Sequence, residues 1–207
     1  MSRWAESYPT DYSAEVRRAL FGLPHDWFLR GKGEWLRSWF SERGREPGDV
    51  LDTGCGTGLL HRYLPGHITG CDLSQSALDQ AAERNPSVHY RRHDGAVLPF
   101  PDASFDTALA VTVMHHVPPA EWPSFLAEAK RILRPGGALI VNEHNPWNPM
   151  TRLSVKISPL DHEAVLLTAR RTKRLMREAG LIGVGSDSLF YTAQYCAYRC
   201  AACRYAG

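Results

Sequence analysis

No apolar run in the sequence approaches the roughly 20 residues that a membrane-spanning helix needs. The opening residues, MSRWAESYPTDYSAEVRR, also lack the apolar centre of a secretory signal, so a cytoplasmic protein without a membrane partner is expected. An excess of one charge is missing too. With 24 Lys and Arg against 22 Asp and Glu, the formal net charge is +2, too weak a field to favour nucleic acid or an acidic membrane as partner. Cysteine is scarce, five in 207 residues. An odd number in a chain of this size points to reduced thiols rather than a disulfide framework. What is present is an apolar fraction of 43%, enough for one domain with a buried core.

Aromatic residues crowd the first part, to about Pro47. In GEWLRSWFSERG, Trp35, Leu36, Trp39 and Phe40 fall at helical spacing, with Gly44 as a stop. The spacing predicts a helix packed on a sheet, and residues 1–47 are read as a helical cap whose first residues form a lid. From residue 48 short β-rich runs (DVLDTG, HITGCD, SVHYRRHD, FDTALAVTV, GALIVNEH) alternate with helical ones (SQSALDQAAERN, EWPSFLAEAKRILRPGG). Such alternation predicts an α/β fold: a Rossmann-like, doubly wound, mostly parallel sheet of about seven strands with helices on both faces. The whole chain, 1–207, is taken as a single domain with its core over 48–207. Residues 145–167, rich in proline and without clear period, read as a substrate-side insertion at a strand end.

The stretch VLDTGCGTGLL puts Gly54, Gly56 and Gly58 directly behind the first strand, where bare backbone lets a ligand approach without a Cβ in the way. The pattern does not suit a pyrophosphate ligand. A dinucleotide fingerprint would need glycine where Leu59 stands, and a P-loop would need Lys followed by Ser or Thr. Asp72 ends the second strand about 18 residues on and can accept from both hydroxyls of a ribose. Asp94, beside Gly95 and Ala96, ends the third in HDGAVLPFPDASFD. Any one of Asp52, Asp72 and Asp94 could simply cap the helix after its strand; three at successive strand ends point to a ligand.

In this order and spacing, VLDTGCGTG, GCDLS, HDGAVLPFPDASFD, VMHHV and RILRPGGALIV resemble the class I S-adenosylmethionine-dependent methyltransferases, in particular their small-molecule branch of the methyltransferase type 11 kind. The resemblance covers about 48–141. It implies S-adenosyl-L-methionine as cofactor, with S-adenosyl-L-homocysteine as product. It also implies that Gly54, Cys55, Gly56 and Gly58 pass under the methionine part and that Asp52 lies near its amino group. Asp72 would hold the ribose, Leu73 would flank the adenine, Asp94, Gly95 and Ala96 would read the adenine edge, and Val111 would line the methyl donor. The family closes its sheet with a long antiparallel hairpin. Only about 25 residues follow Leu181, so either short last strands or a truncated chain is expected here.

The implied function is methyl transfer to a small organic acceptor, at a hydroxyl oxygen, by a monomer or homodimer. The alternatives are a non-catalytic module that keeps the pocket, or an RNA methyltransferase. A hydroxyl acceptor must lose a proton, and His115, His116 and His144 stand behind the fourth and fifth strands. His116 and His144 are the candidate bases, with Glu143 outside them. Either histidine could equally be structural or pocket-lining. No metal site is expected: Cys196, Cys200 and Cys203 have the C-x3-C-x2-C spacing of a cluster motif, but at the wrong end of the chain and without a fourth zinc ligand nearby. The basic run TARRTKRLMREAG has an apolar stripe of Leu175, Met176 and Ala179, so its charges read as a solvated face rather than an RNA footprint.

Overall fold

Strand and helix alternate from residue 49 onward. The structure, a computed structural model, describes residues 24–95, 97–189 and 193–200, with residues 183–200 described by backbone alone. The expected lid, Ala96, Cys203 and the side chains of Cys196 and Cys200 lie outside the described residues. In chain order the elements are α1 (His25–Ser41), β1 (Asp49–Thr53), β2 (His67–Asp72), α2 (Gln75–Arg84), β3 (His89–Arg92) and β4 (Phe105–Val111). They continue with α3 (Trp122–Arg131), β5 (Leu133–His144), α4 (Pro149–Ile157), α5 (Ala169–Glu178), β6 (Leu181–Leu189) and β7 (Ala193–Cys200).

The strands lie in the order β3-β2-β1-β4-β5-β7-β6. The first five run parallel, while β7 pairs antiparallel with both β5 and β6. The chain therefore steps from β1 out to β3 and returns to β4 on β1's other side, which opens a crevice at the carboxyl ends of β1 and β4.

Side chains along each strand alternate between two cores, as the period of two requires. Val50, Leu109 and Ile140 pack with Leu29, Leu36, Trp39 and Phe40 of α1. Their neighbours Leu51, Ala108, Ala110, Leu139 and Val141 pack with Trp122 and Leu126 of α3 and Met176 of α5. Each fully buried leucine or isoleucine there contributes about 1.5–3 kcal/mol. In α1 the buried positions 29, 33, 36 and 40 form one stripe. Gly33 is in it because a Cβ would come within 2.5 Å of the Tyr63 carbonyl oxygen; helix and turn could not approach so closely with any other residue.

Three expectations need correction. The prolines of 145–167 flank a helix instead of preventing one: Asn148 caps α4, its side chain accepting from the Met150 and Thr151 N–H groups, and Pro149 occupies the first turn, where its missing N–H costs nothing. The closing strands are not short, with nine and eight residues. Asp94 stands two residues past β3, which ends at Arg92. Among the described residues no helix is long and apolar enough to cross a membrane.

Candidate active site

The glycine turn is tied to the strand beside it. The Gly54 and Cys55 N–H groups both donate to the Cys71 carbonyl, at 2.8 and 3.0 Å. Gly54 has φ +71, and a Cβ there would meet Val113 Cγ2 at 2.6 Å; strain and clash both demand glycine. Asp72, buried at 6% exposure, accepts from the Gly56 N–H at 2.8 Å and the Ser74 N–H at 2.9 Å. It thus clamps the turn to the start of α2, while each oxygen keeps a second lone pair for a ligand hydroxyl. Burial pushes its carboxyl up from the ordinary value, and the two N–H donors offset part of that. Leu73 lies against Gly95, where a Cβ would touch its Cδ2 at 3.4 Å, so two of the residues expected around an adenine meet. A depression beside them is lined by Thr53, His93, Gly95, Leu98 and Phe125.

Asp52 is buried at the end of β1. Its Oδ2 is 3.1 Å from His61 Nε2, and a relay runs behind it, from Asn85 to the Tyr90 hydroxyl at 3.2 Å and from Tyr90 to His61 Nδ1 at 2.8 Å. Its Oδ1 is buried without a hydrogen-bond partner. Lys32 of α1 faces the same space. Burial lowers its pKa to about 8 against the pull of Glu143 and Asp52, and His25 and His144 are the other titrating groups that feel it. A charge in the apolar stripe of α1, three residues after Leu29, was a signal that sequence reading passed over. Below pH 8 the ammonium is charged in both the folded and unfolded chain and its desolvation penalty is complete. Between pH 8 and the unfolded value near 10.5 the folded state sheds its proton first, and the penalty disappears. Lys32→Met is therefore expected to be more stable than wild type at pH 7, by about 1–3 kcal/mol. Urea denaturation should show that gap closing as the pH rises from 8 to 10.5.

The histidines converge behind β4 and β5. At the end of β4 the backbone turns back through Thr112, a non-glycine residue at φ +56, whose N–H donates to the Asn142 carbonyl at 2.7 Å. Val111 is half-buried beside it. The turn Met114–His116 follows. Glu143 Oε1 accepts from the Met114 and Val113 N–H groups at 2.8 and 3.2 Å, and its Oε2 is 2.5 Å from His115 Nδ1. Asp161, on the turn after α4, is 3.3 Å from His115 Nε2 and 3.6 Å from His116 Nε2. The His115 ring centroid lies 4.1 Å from that of His116 and 4.9 Å from that of His144.

Burial alone would disfavour a charged His115, but Glu143 and Asp161 outweigh it and push its pKa up to about 9. Burial, reinforced by that charge, lowers His116 and His144 to about 4. The same cation holds Glu143 below its ordinary value and Asp161 down at about 2, against the effect of burial in both. The sequence had put three of these groups at strand ends; it did not bring in Asp161, 17 residues past β5. The free thiols of Cys55 and Cys71 are raised by burial and are unsuited to nucleophilic work. In the basic helix α5, Thr172 and Met176 face inward, and the Arg171 guanidinium stacks 4.3 Å over Trp122.

The architecture is the Rossmann-like fold of solved S-adenosylmethionine-dependent methyltransferases. A family model described as a methyltransferase domain matches residues 51–141, from β1 to β5. It is 36% identical over 120 residues to phthiotriol/phenolphthiotriol dimycocerosates methyltransferase 1 of Mycobacterium ulcerans, covering 54% of this chain and 44% of that protein. To 2-phytyl-1,4-naphtoquinone methyltransferase of Synechococcus elongatus it is 34% identical over 132 residues, 57% of this chain and 56% of the relative. The chain spans about half the length of these curated relatives. In fold it is similar to a methyltransferase from Aquifex aeolicus, with a TM-score of 0.69, 18% identity and coverage of 89% and 98%. A second similar structure, from Thermotoga maritima, has a TM-score of 0.67 at 22% identity, covering 92% of this chain and 100% of that one.

The matched domain and the fold imply S-adenosyl-L-methionine as cofactor, and the residues present fit it. Asp52 Oδ1 is a buried acceptor in need of a donor, such as an ammonium, and the cradle at Gly54 is one that a Cβ would fill.

Proposed function

We propose that the protein transfers the methyl group of S-adenosyl-L-methionine to a small organic acceptor, at a hydroxyl oxygen. The observation that carries this reading is the meeting of two unlike groups of residues at one strand-end crevice: the glycine turn with Asp52 and Asp72 on one side, and the imidazoles of His115, His116 and His144 on the other. The cofactor supplies a methyl group already activated on a sulfonium, so catalysis rests on positioning acceptor and donor in line. Asp72 accepts from the ribose hydroxyls, and Asp52 meets the amino group. Lys32 is close enough to that carboxylate to oppose the donor's own. Leu73 flanks the adenine, Asp94, Gly95 and Ala96 read its edge, and Val111 lines the methyl group. Gly54, Cys55, Gly56 and Gly58 run beneath the methionine.

His116, partly open to solvent, takes the proton of the acceptor hydroxyl, with His144 as the second candidate. The segment 145–167 and the N-terminal cap form the walls of the acceptor pocket. Two relatives carry names that specify methylation of a naphthoquinone and of phthiotriol dimycocerosates, which supports a small-molecule acceptor here.

The test is calorimetric. Wild type should bind S-adenosyl-L-methionine, and Asp72→Ala should bind it about ten- to a hundredfold more weakly, the effect of losing a charged acceptor worth roughly 1.5–3 kcal/mol. Unchanged donor affinity in that variant would sink the assignment. Turnover of labelled donor with a metabolite extract separates an enzyme from a module that only binds.

A further inference from the structure

We infer that His115, His144 and Asp161 form a binding site for a first-row divalent cation of the zinc kind. The three come from separate segments: the turn behind β4, the last residue of β5 and the turn after α4. One ligand atom from each lies within 4.8 Å of the other two. A cation bound to nitrogen and oxygen at about 2.0–2.2 Å in tetrahedral geometry keeps neighbouring ligand atoms about 3.3–3.6 Å apart. The edge from His115 Nε2 to Asp161 Oδ1, at 3.3 Å, already has that length. The remaining edges need movements of about an ångström.

Two further observations point the same way. His115 is 1% exposed, and its Nε2 faces Asp161 Oδ1 in an ion pair at 3.3 Å without a hydrogen bond that satisfies it. A polar atom buried in that state calls for a partner, and a cation would be one. Behind it, Glu143 holds Nδ1 at 2.5 Å and is itself held by two backbone N–H groups. A carboxylate placed this way fixes the orientation of a ligating imidazole and presents Nε2, once cation binding has released its proton to solvent, as the coordinating atom. The Val165 N–H donates to the His115 carbonyl at 2.8 Å, which pins the segment after Asp161 to the histidine turn, so the ligands do not depend on a loose loop.

Two imidazoles and a carboxylate suit zinc, cobalt or iron better than magnesium or calcium, whose ligands are oxygens. Three protein ligands leave a fourth position, on the side where His116 and Asp161 reach the surface with side-chain exposures of 35% and 16%. The consequence rests on the proposed function: a hydroxyl oxygen coordinated there would be polarised and give up its proton more readily. His144 then serves as a ligand, and His116 remains the base. This departs from the expectation that the chain holds no metal, and it involves none of the cysteines.

The experiment uses the full chain, stripped with a chelator and titrated with Zn²⁺ without donor or acceptor, with Co²⁺ as a spectroscopic probe. One equivalent of Zn²⁺ is expected to bind at micromolar concentration or below, and Co²⁺ to show the intense visible bands of a low-coordinate site. Asp161→Asn, near the surface and nearly isosteric, should weaken binding by about ten- to a hundredfold, with circular dichroism and donor affinity as in wild type. Glu143→Gln should weaken it by about tenfold or more, and His144→Ala by at least as much. Absence of stoichiometric binding, or binding that Asp161→Asn and His144→Ala leave unchanged, would overturn the inference. Donor binding without cation binding would remove this site and leave the proposed function standing. Cation binding without donor binding would do the reverse.

Discussion

Trp122→Ala is expected to destabilise the protein by about 3–5 kcal/mol, enough to lower the Tm by roughly 10 °C. The indole is the largest fully buried side chain in the fold. It fills the space between α3 and the sheet, in the core that also holds Leu126, Met114 and Leu139. Its Nε1–H is shared between the Met114 and Val117 carbonyls, both at 2.9 Å, and so brackets the turn that carries His115 and His116. Truncation leaves a cavity and frees that turn at once. Trp122→Phe separates the two effects: it keeps most of the packing and removes only the donor, for about 1–3 kcal/mol. Thermal unfolding of both variants checks the ledger, and a Trp122→Ala protein as stable as wild type would contradict the packing described.

His116→Ala is expected to lower turnover by about 10² to 10⁴ at saturating donor, with donor affinity near wild type. Position singles this residue out. Of the clustered imidazoles, His115 has its Nδ1 committed to Glu143 and is shut from solvent, whereas His116 is about one-third exposed on the same turn. It projects from the end of β4, the strand next to the glycine turn, where an acceptor would meet the methyl group. Removing it should leave the proposed donor site untouched, because none of the hydrogen bonds of Asp52, Asp72 or the glycine turn involves it. Single-turnover kinetics with the donor affinity measured separately decides the matter. Full turnover in both His116→Ala and His144→Ala would mean that proximity alone suffices and that the acceptor is a nucleophile needing no base.

Much of this was legible before any coordinate. Gly54 announced a tight backbone because only glycine tolerates φ +71 against Val113, and Asp72 declared itself by ending the second strand. The stripe in α1 gave the helix, but Lys32, a charge set within it, was not singled out. The helix at 149–157 was misread because its prolines looked like breakers. One of them sits in the first turn, where proline is tolerated, and Asn148 supplies the cap.

By itself the sequence determined the local and periodic features: strands from alternation, helices from their stripes, the glycine turn from residues whose backbone conformation is a property of the residue itself. It also set the order in which carboxylates follow strands, and the parallel topology then carried these to one edge. Only the tertiary structure decided which side chains meet. Asp161, Glu143 and His115 are separated by 18 and 28 residues of chain, and no period links them. They come together because β4 and β5 pair in register and because the turn after α4 is bonded back to His115 through Val165. Likewise the oxygen of Asp52 and the nitrogen of His115 that no hydrogen bond satisfies exist in that state only in the packed chain, since water satisfies both groups in an unfolded one and burial makes their need for a ligand specific.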